Sequence, residues 1–317
     1  MNKLDLVKRN TQEIISEEKL KTLLKKKSPR VYCGYEPSGE IHLGHLVTIT
    51  KLLDLQEAGF QVVILFADYH AFLNQKGDWE FINEQVKHWK KGFKAAGLTK
   101  AEFVVGSSFQ TKKEYQEDVL KLSSSVTINR ALRSMQQVAR DVENAKVSQV
   151  IYPFMQIVDI KHLNLDAVQS GIEQRKIHMM GSEIFSKIDY KTPLFIHTPL
   201  INSLKGPGSK MSSSEAESFI SIRDTDESIK KKINKTHCIS GEKKDSPILE
   251  IIKLIIFPRI KTFEIKRDKK FGGNLKFKTY EELEKDFTSK KIHPLDLKNS
   301  TSEYLIKIIT PIRKAYK

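Results

Sequence analysis

The sequence predicts an α/β protein, a doubly wound parallel sheet followed by a C-terminal, mainly helical domain. Three observations carry that expectation. From residue 30 to residue 198, short apolar runs alternate with longer helix-like stretches, as right-handed crossovers between parallel strands require. Gln61-Val62-Val63-Ile64-Leu65-Phe66-Ala67 is an almost unbroken apolar run, which suits a strand buried on both faces. After Arg223 the alternation stops and basic, helix-like stretches take over. The expected domains are therefore 1–223 and 224–317.

Along the chain, Ile14, Ile15, Leu20, Leu23 and Leu24 recur at helical spacing among Glu and Lys, so the N-terminal segment predicts an amphipathic helix or two. Arg30-Val31-Tyr32-Cys33-Gly34 reads as a strand and Glu36-Pro37-Ser38-Gly39 as the turn after it. From His45 onward, Leu46, Ile49, Leu52, Leu53 and Leu55 form an apolar stripe that stops near Gly59, a helix with a glycine end. After the strand at 61–67 come a helix at 79–96, a strand at 101–105, a long helical stretch at 112–144 and a helix from Val150. Strands near 165–170 and 194–198 precede a Gly/Ser loop at 205–216. Beyond it, helices are expected at 227–235, 248–257, 280–288 and 302–314, with at most a short hairpin around 271–278.

The 54 Lys and Arg against 39 Asp and Glu leave a formal charge of +15, and a 39% hydrophobic content is too high for a disordered chain. Cys33 and Cys238 stand far apart without a CxxC or a Cys/His cluster, so neither a disulfide framework nor a structural zinc is supported. Met1-Asn2-Lys3-Leu4-Asp5 lacks the apolar core of a signal peptide, and the longest apolar runs fall far short of the ~20 residues of a membrane span. A cytoplasmic protein away from membranes is expected. Lys-rich composition alone fits a solvated surface as well as a polyanionic partner. The charge, however, is uneven: residues 225–317 hold 23 Lys and Arg against 13 Asp and Glu, a net +10, and the rest only +5. That asymmetry favours nucleic acid as the partner.

Two motifs carry chemistry. His42-Leu43-Gly44-His45 lies between the first strand and the helix it feeds, where free backbone N–H groups and the positive end of the helix dipole favour a phosphate. The imidazoles add donors, and Gly44 lets a nucleotide approach the backbone. Taken alone, two histidines at a helix start are more often capping or surface residues. Lys205-Gly206-Pro207-Gly208-Ser209-Lys210-Met211-Ser212-Ser213-Ser214 is a glycine-hinged loop in which Lys210 brings charge to a polyphosphate and the serines offer hydroxyls. Standing alone it reads as a Ser-rich linker.

Together, HLGH after the first strand and KMSSS after the last resemble the paired motifs of class I aminoacyl-tRNA synthetases. The chain resembles the tyrosyl-tRNA synthetases of the archaeal and eukaryotic cytosolic type over essentially its whole length. The stretches that carry this are Tyr32-Cys33-Gly34-Tyr35-Glu36-Pro37-Ser38-Gly39, Ala67-Asp68-Tyr69-His70-Ala71-Phe72-Leu73-Asn74, Tyr152-Pro153-Phe154-Met155-Gln156-Ile157-Val158-Asp159 and Glu173-Gln174-Arg175-Lys176-Ile177-His178. The resemblance implies a Rossmann-like catalytic domain and an anticodon-binding C-terminal domain. It implies ATP as substrate, with Mg²⁺ bound mainly through phosphates, and no structural metal.

The implied reaction is attack of the tyrosine carboxylate on the α-phosphate of ATP, then transfer of the aminoacyl group to tRNA(Tyr). Catalysis is then positioning and charge stabilisation. His42, His45, Gly44, Met211 and Lys210 are the implied ATP-side residues, with Ser212 and Ser213 joining His42, His45 and Lys210 in catalysis. Tyr32 and Asp159 are implied to meet the phenol hydroxyl, and Tyr152, Gln156 and Gln174 the amino group. Gly34, Glu36, Leu65, Ala67 and His70 complete the tyrosine site. On residue chemistry alone, Tyr152 and Leu65 fit core packing equally well, whereas a buried carboxylate at Asp159 needs a partner or a function.

For tRNA, the resemblance implies that Arg133, Arg175 and Lys176 face the first acceptor base pair, and that Phe271, His293, Pro294 and Asp296 read the anticodon, where an aromatic ring stacks on a splayed base and a carboxylate accepts from guanine. It also implies a homodimer built on the 112–144 helices. The nearest alternatives are a tryptophanyl-tRNA synthetase, for which the Tyr32 and Asp159 pair is ill suited, and a non-catalytic RNA-binding paralogue, against which the intact HLGH and KMSSS argue.

Overall fold

The computed structural model describes residues 1–138, 144–206, 211 and 217–316. The chain forms two compact units, each interrupted in sequence: Met1–Ser38, Lys51–Lys90 and Leu98–Pro199 make the first, and Gly39–Thr50, Lys91–Gly97 and Leu200–Lys317 the second. In chain order the elements up to residue 198 are α1 (Lys3–Lys8), β1 (Glu13–Ile15), α2 (Glu17–Leu23), β2 (Arg30–Tyr35), α3 (Leu43–Glu57), β3 (Gln61–Phe66), α4 (Asp68–Leu73), α5 (Trp79–Ala95), β4 (Glu102–Val105), α6 (Lys113–Ser123), α7 (Ile128–Met135), α8 (Val147–His162), β5 (Ala167–Gly171), α9 (Arg175–Ile184) and β6 (Leu194–Thr198). They are followed by α10 (Asp226–Lys235), α11 (Pro247–Ile251), β7 (Phe263–Ile265), β8 (Leu275–Phe277), α12 (Tyr280–Thr288) and α13 (Pro294–Tyr316).

The first unit is built on a six-stranded sheet in the order β1-β6-β5-β2-β3-β4, parallel throughout except for β1 at one edge. This is the doubly wound α/β sheet that the alternation predicts, and β3 is buried from Val62 to Phe66 as its apolar run requires. Its core packs Tyr32, Val63 and Leu65 with Phe154, Ile157 and Val158 of α8 and with Ile177 and Met180 of α9. The strand order reverses beside β2, so the C-terminal ends of β2 and β5 open the crevice where ligands of such sheets bind.

Four local expectations are corrected. Ile14 and Ile15 are not helical: they form β1, antiparallel to β6, with Ile14 opposite Ile196 and Ile15 opposite Phe195. Adjacent β-branched residues prefer that pleated pairing, and the apparent helical spacing came from the leucines of α2 alone. Among its described residues the 112–144 stretch forms two helices, α6 and α7, the second started by Thr127, whose hydroxyl accepts from the Arg130 N–H at 3.3 Å. The last helix starts at Pro294, eight residues before the expected 302. Asn299-Ser300-Thr301-Ser302 looks like a break in sequence, but Thr301 Oγ1 donates to the Leu297 carbonyl at 2.7 Å and Ser302 Oγ to that of Asn299 at 2.7 Å. The hairpin pairs β7 with β8, Phe263 opposite Phe277, leaving Phe271 in the turn between them.

In the second unit, α10 packs on α13, α13 also on α11 and β7, and α12 on β8. Arg313 of α13 bonds Asp226 Oδ1 at the start of α10 at 2.6 Å.

Candidate active site

The first unit carries a polar cluster inside its apolar core. Asp159, on α8, is 1% exposed, and its Oδ1 accepts from Gln110 Nε2 at 2.8 Å and from Tyr115 Oη at 2.8 Å. Burial pushes its carboxyl up to about 7, with the two hydrogen bonds pulling the other way and Asp68 adding to the rise. Tyr32, on β2, is 2% exposed, and burial together with the Asp159 charge drives its hydroxyl well above the usual phenol range. Phenol and carboxyl thus share one dry region, one able to donate and the other to accept.

His70, on α4, lies beside them: its Nε2 is 3.7 Å from Asp159 Oδ2, and its ring meets Tyr152 edge-on at 4.5 Å. Burial lowers it to about 3, so the ring is neutral, and its Nε2 is buried without a hydrogen-bond partner. The Gln110 Oε1 is likewise buried and unpartnered. Orphaned polar atoms of this kind in a closed core call for a ligand or an ordered water. Tyr152 Oη donates to Glu36 Oε1 at 2.6 Å, and Asn74 Nδ2 donates to the same carboxylate at 3.1 Å. Gln156 Nε2 donates to Gln174 Oε1 at 3.3 Å, and its own Oε1 is buried without a partner. Leu65 and Ala67 belong to the same core cluster as Tyr32 and Tyr152. At Gly34 an added Cβ would lie 3.5 Å from Tyr32 Cε2, an ordinary van der Waals contact, which places this residue directly beside the phenol ring.

The HLGH segment lies in the second unit and enters α3. The His42 ring accepts the Gly44 N–H on Nδ1 at 3.1 Å, and the His45 ring accepts the His42 N–H on Nδ1 at 3.1 Å. Both rings are therefore neutral with the proton on Nε2, in line with burial lowering His42 to about 4 and His45 well below its usual value. Their centroids are 4.0 Å apart and Phe219 sits edge-on to His42 at 5.6 Å. An extended bridge pairs His42 with Ser221, and Ser221 Oγ donates to Glu40.

Gly44 also has a packing role beside its neighbouring imidazole. A Cβ there would stand 2.8 Å from His42 Cε1 and 3.0 Å from its Nδ1, so glycine makes room for the neighbouring imidazole. Met211 is buried and its N–H donates to the Ile201 carbonyl at 3.1 Å. Lys210, Ser212 and Ser213 lie outside the described residues.

A family model described as "tRNA synthetases class I (W and Y)" matches residues 24–310. The tyrosine–tRNA ligase of Methanosarcina barkeri is 49% identical over 317 residues, covering 99% of both chains. The chain belongs to the tyrosine–tRNA ligases. Among solved structures, tyrosyl-tRNA synthetase of Archaeoglobus fulgidus complexed with L-tyrosine is 47% identical with a TM-score of 0.96 over 99% of each chain. That of Aeropyrum pernix is 37% identical with a TM-score of 0.89, over 99% of this chain and 93% of the other.

The residues expected on a ligase's tRNA side are placed as follows. Arg133, on α7, is exposed. Arg175, the first residue of α9, is exposed and pairs with Glu13 at 2.8 Å, and Lys176 Nζ donates to Gln136 Oε1 at 2.6 Å. Phe271 is 62% exposed at the turn between β7 and β8, which excludes a core role, and Lys270 Nζ lies 5.0 Å from its ring centre. His293 Nδ1 accepts the Leu295 N–H at 3.2 Å, Pro294 opens α13, and Asp296 sits in its first turn.

Sequence reasoning passed over Gln110 and Tyr115, the two groups that hold Asp159. Tyr115 sits on an amphipathic helix face at a position that reads as core, and Gln110 in a turn. Nothing local marks either as polar partners of a carboxylate 44 or 49 residues away.

Proposed function

We propose that the chain activates L-tyrosine with ATP, forming tyrosyl-adenylate and pyrophosphate, and then transfers the tyrosyl group to the 3′ end of tRNA(Tyr). The observation that supports this most directly is the Asp159 carboxyl held in the core by Gln110 and Tyr115 alongside Tyr32. A phenol hydroxyl donates one hydrogen bond and accepts others, so it meets Asp159 and Tyr32 together. An indole N–H only donates, which disfavours tryptophan. Phenylalanine would leave both groups buried and unpaired, the penalty behind the roughly 10⁵-fold discrimination known for tyrosyl enzymes without editing.

In this reading Tyr152, Gln156 and Gln174 take the α-ammonium, with Gly34, Glu36, Leu65, Ala67 and His70 around the side chain. The carboxylate of tyrosine is already ionised, so no side-chain nucleophile is required. His42 and His45, neutral and protonated on Nε2, offer directed donors to phosphate oxygens, which suits stabilisation of phosphoryl charge. Gly44 and Met211 complete the ATP side, and Lys210 with Ser212 and Ser213 acts on the pyrophosphate. Mg²⁺ would enter with ATP, held mainly through its phosphates.

Residues 1–223 would then serve activation and 224–317 anticodon binding through Phe271, His293, Pro294 and Asp296, while Arg133, Arg175 and Lys176 meet the acceptor stem. The apolar side chains of Leu120 and Ile128, 66% and 68% exposed on α6 and α7, support a homodimer through this region. No helix among the described residues is long and apolar enough to cross a membrane, which is compatible with the cytoplasm as the site of action. The deciding experiment is pyrophosphate exchange with each of the twenty amino acids. Exchange with tyrosine alone is expected; exchange with tryptophan, or none at all, would overturn the assignment.

A further inference from the structure

Four side chains from four elements form a continuous hydrogen-bonded line through the first unit. Glu13 on β1 accepts from Arg175 Nε at 2.8 Å and lies 2.9 Å, through the same Oε2, from His197 Nδ1 on β6. His197 Nε2 is 2.9 Å from His178 Nδ1 on α9, with the two rings within 10° of coplanar, the geometry of an in-plane hydrogen bond. His178 Nε2 lies 3.5 Å from Gln156 Nε2. Both histidines are 0–1% exposed, so water does not supply alternatives.

The direction of every bond in this line follows from its outer end. Arg175 holds Glu13 below the usual carboxylate range, and an ionised carboxylate only accepts. His197 Nδ1 must therefore carry the proton. Burial keeps His197 and His178 neutral, so His197 Nε2 is bare and can only accept. His178 then donates from Nδ1, and its own Nε2 is bare in turn. A bare nitrogen facing the Gln156 amide selects its NH₂ group, which leaves Gln156 Oε1 pointing elsewhere: buried, unpartnered and available as an acceptor. An ammonium group needs that acceptor; the flipped amide would present it with N–H donors.

We propose that Glu13, His197 and His178 are positioning residues that fix the Gln156 amide with its oxygen toward the substrate, setting the preference for a ligand bearing an α-ammonium group. The inference rests on the tyrosine-binding reading above and adds a cause for the orientation of one of its residues.

Two measurements test it. In a histidine ¹⁵N–¹H correlation spectrum of the full-length protein, His178 and His197 are expected to carry the proton on Nδ1; a proton on Nε2 of either ring overturns the relay. The second compares tyrosine with 3-(4-hydroxyphenyl)propionate, which lacks only the amino group, in the unmodified protein and in His197→Phe, which keeps a planar ring and removes both nitrogens. The KM for tyrosine in pyrophosphate exchange should rise about tenfold with little change in kcat, while the dissociation constant of the deamino analogue stays put. Equal weakening of both ligands, or of neither, overturns the proposal. Should His197→Phe fail to fold, the tautomers of the unmodified protein still decide. Absence of tyrosine-dependent exchange in the unmodified protein would instead sink the functional reading, a separate outcome from the tautomer result.

Discussion

The Tyr115 hydroxyl lies 2.8 Å from Asp159 Oδ1 and 2.9 Å from the Met155 carbonyl, two acceptors that compete for its single proton, and the carboxylate is the stronger of them. Asp159 is pushed up to about 7 by burial and pulled down by its bonds to Gln110 and Tyr115. A substrate hydroxyl donates to the ionised form, so tyrosine affinity should rise with pH through about 7. Tyr115→Phe removes one donor and leaves the burial, which moves the inflection to higher pH and weakens binding at pH 7 by about 1–2 kcal/mol. Titrating tyrosine between pH 5.5 and 8.5 with both proteins checks this. An inflection that stays where it was would mean that Tyr115 does not tune the carboxyl.

Removing the carboxyl itself should strike specificity before stability. Asp159→Ala deletes the acceptor that a phenol satisfies and a phenyl ring cannot, so the ratio of kcat/KM for tyrosine over phenylalanine should fall by roughly 10²-fold or more. Stability at pH 8 should change less than for an ordinary buried truncation. A carboxyl whose folded value lies above its unfolded one favours the folded state at low pH, and that contribution is lost as pH rises from about 4 through about 7. At pH 8 the wild-type chain bears the full cost of an ionised buried group, which the variant escapes. Retained tyrosine preference would remove the assigned role.

At Gly44, a methyl group would stand 2.8 Å from the His42 ring, which has Phe219 edge-on at its side. Gly44→Ala should displace His42 and break the bond from the residue-44 N–H that fixes its tautomer. Activation by pyrophosphate exchange is expected to slow by about 10²-fold, the scale of one lost oriented donor, while tyrosine affinity by direct titration is unchanged. A loss confined to tyrosine affinity would contradict the assignment of this segment to the nucleotide.

How much of this was readable beforehand depended on the range of the interactions. The parallel sheet was legible because Val62–Phe66 and its helical flanks announce themselves within a dozen residues. The HLGH and KMSSS segments were legible as motifs, but the steric demand at Gly44 was not, since it depends on where the His42 ring folds back. Ile14 and Ile15 were misread because a three-residue edge strand takes its pairing from β6, far along the chain. Gln110, Tyr115 and the His178–His197 line escaped for the same reason: each matters only through a partner on another element, and no local pattern encodes that.

Lys51 offers a stability test remote from the chemistry. Its Nζ is buried and donates to the carbonyls of Leu6, Val7 and Arg9 at 2.9, 2.7 and 2.5 Å, closing the C-terminal end of α1. Lys51→Met takes a donor from all three carbonyls, of which that of Val7 keeps the Thr11 hydroxyl at 2.7 Å, and should cost about 3 kcal/mol, read by urea unfolding at pH 7. Burial lowers the Lys51 ammonium to about 8 against its usual 10.5. The folded chain then binds fewer protons than the unfolded one between those values, so its contribution to stability grows as pH rises across that window. The gap between wild type and variant should widen from pH 7.5 to pH 9.5; a constant gap would mean that Lys51 titrates normally.

The charge gradient supplies the last test. Net +10 of the +15 lies in residues 225–317, and in that region Phe271 projects from its turn with Lys270 beside it. If this region holds the anticodon stem, tRNA affinity should fall steeply with salt, by on the order of 10³ between 50 and 200 mM, while tyrosine affinity hardly moves. The two neighbours should then separate cleanly. Lys270→Ala removes a phosphate contact, so it weakens binding modestly and flattens the slope of log affinity against log salt by about one. Phe271→Ala removes a stacking surface worth about 1–3 kcal/mol and leaves the slope intact, because a ring releases no counterions. A Phe271 variant with unchanged affinity at every salt concentration would show that its exposure serves something other than a splayed base.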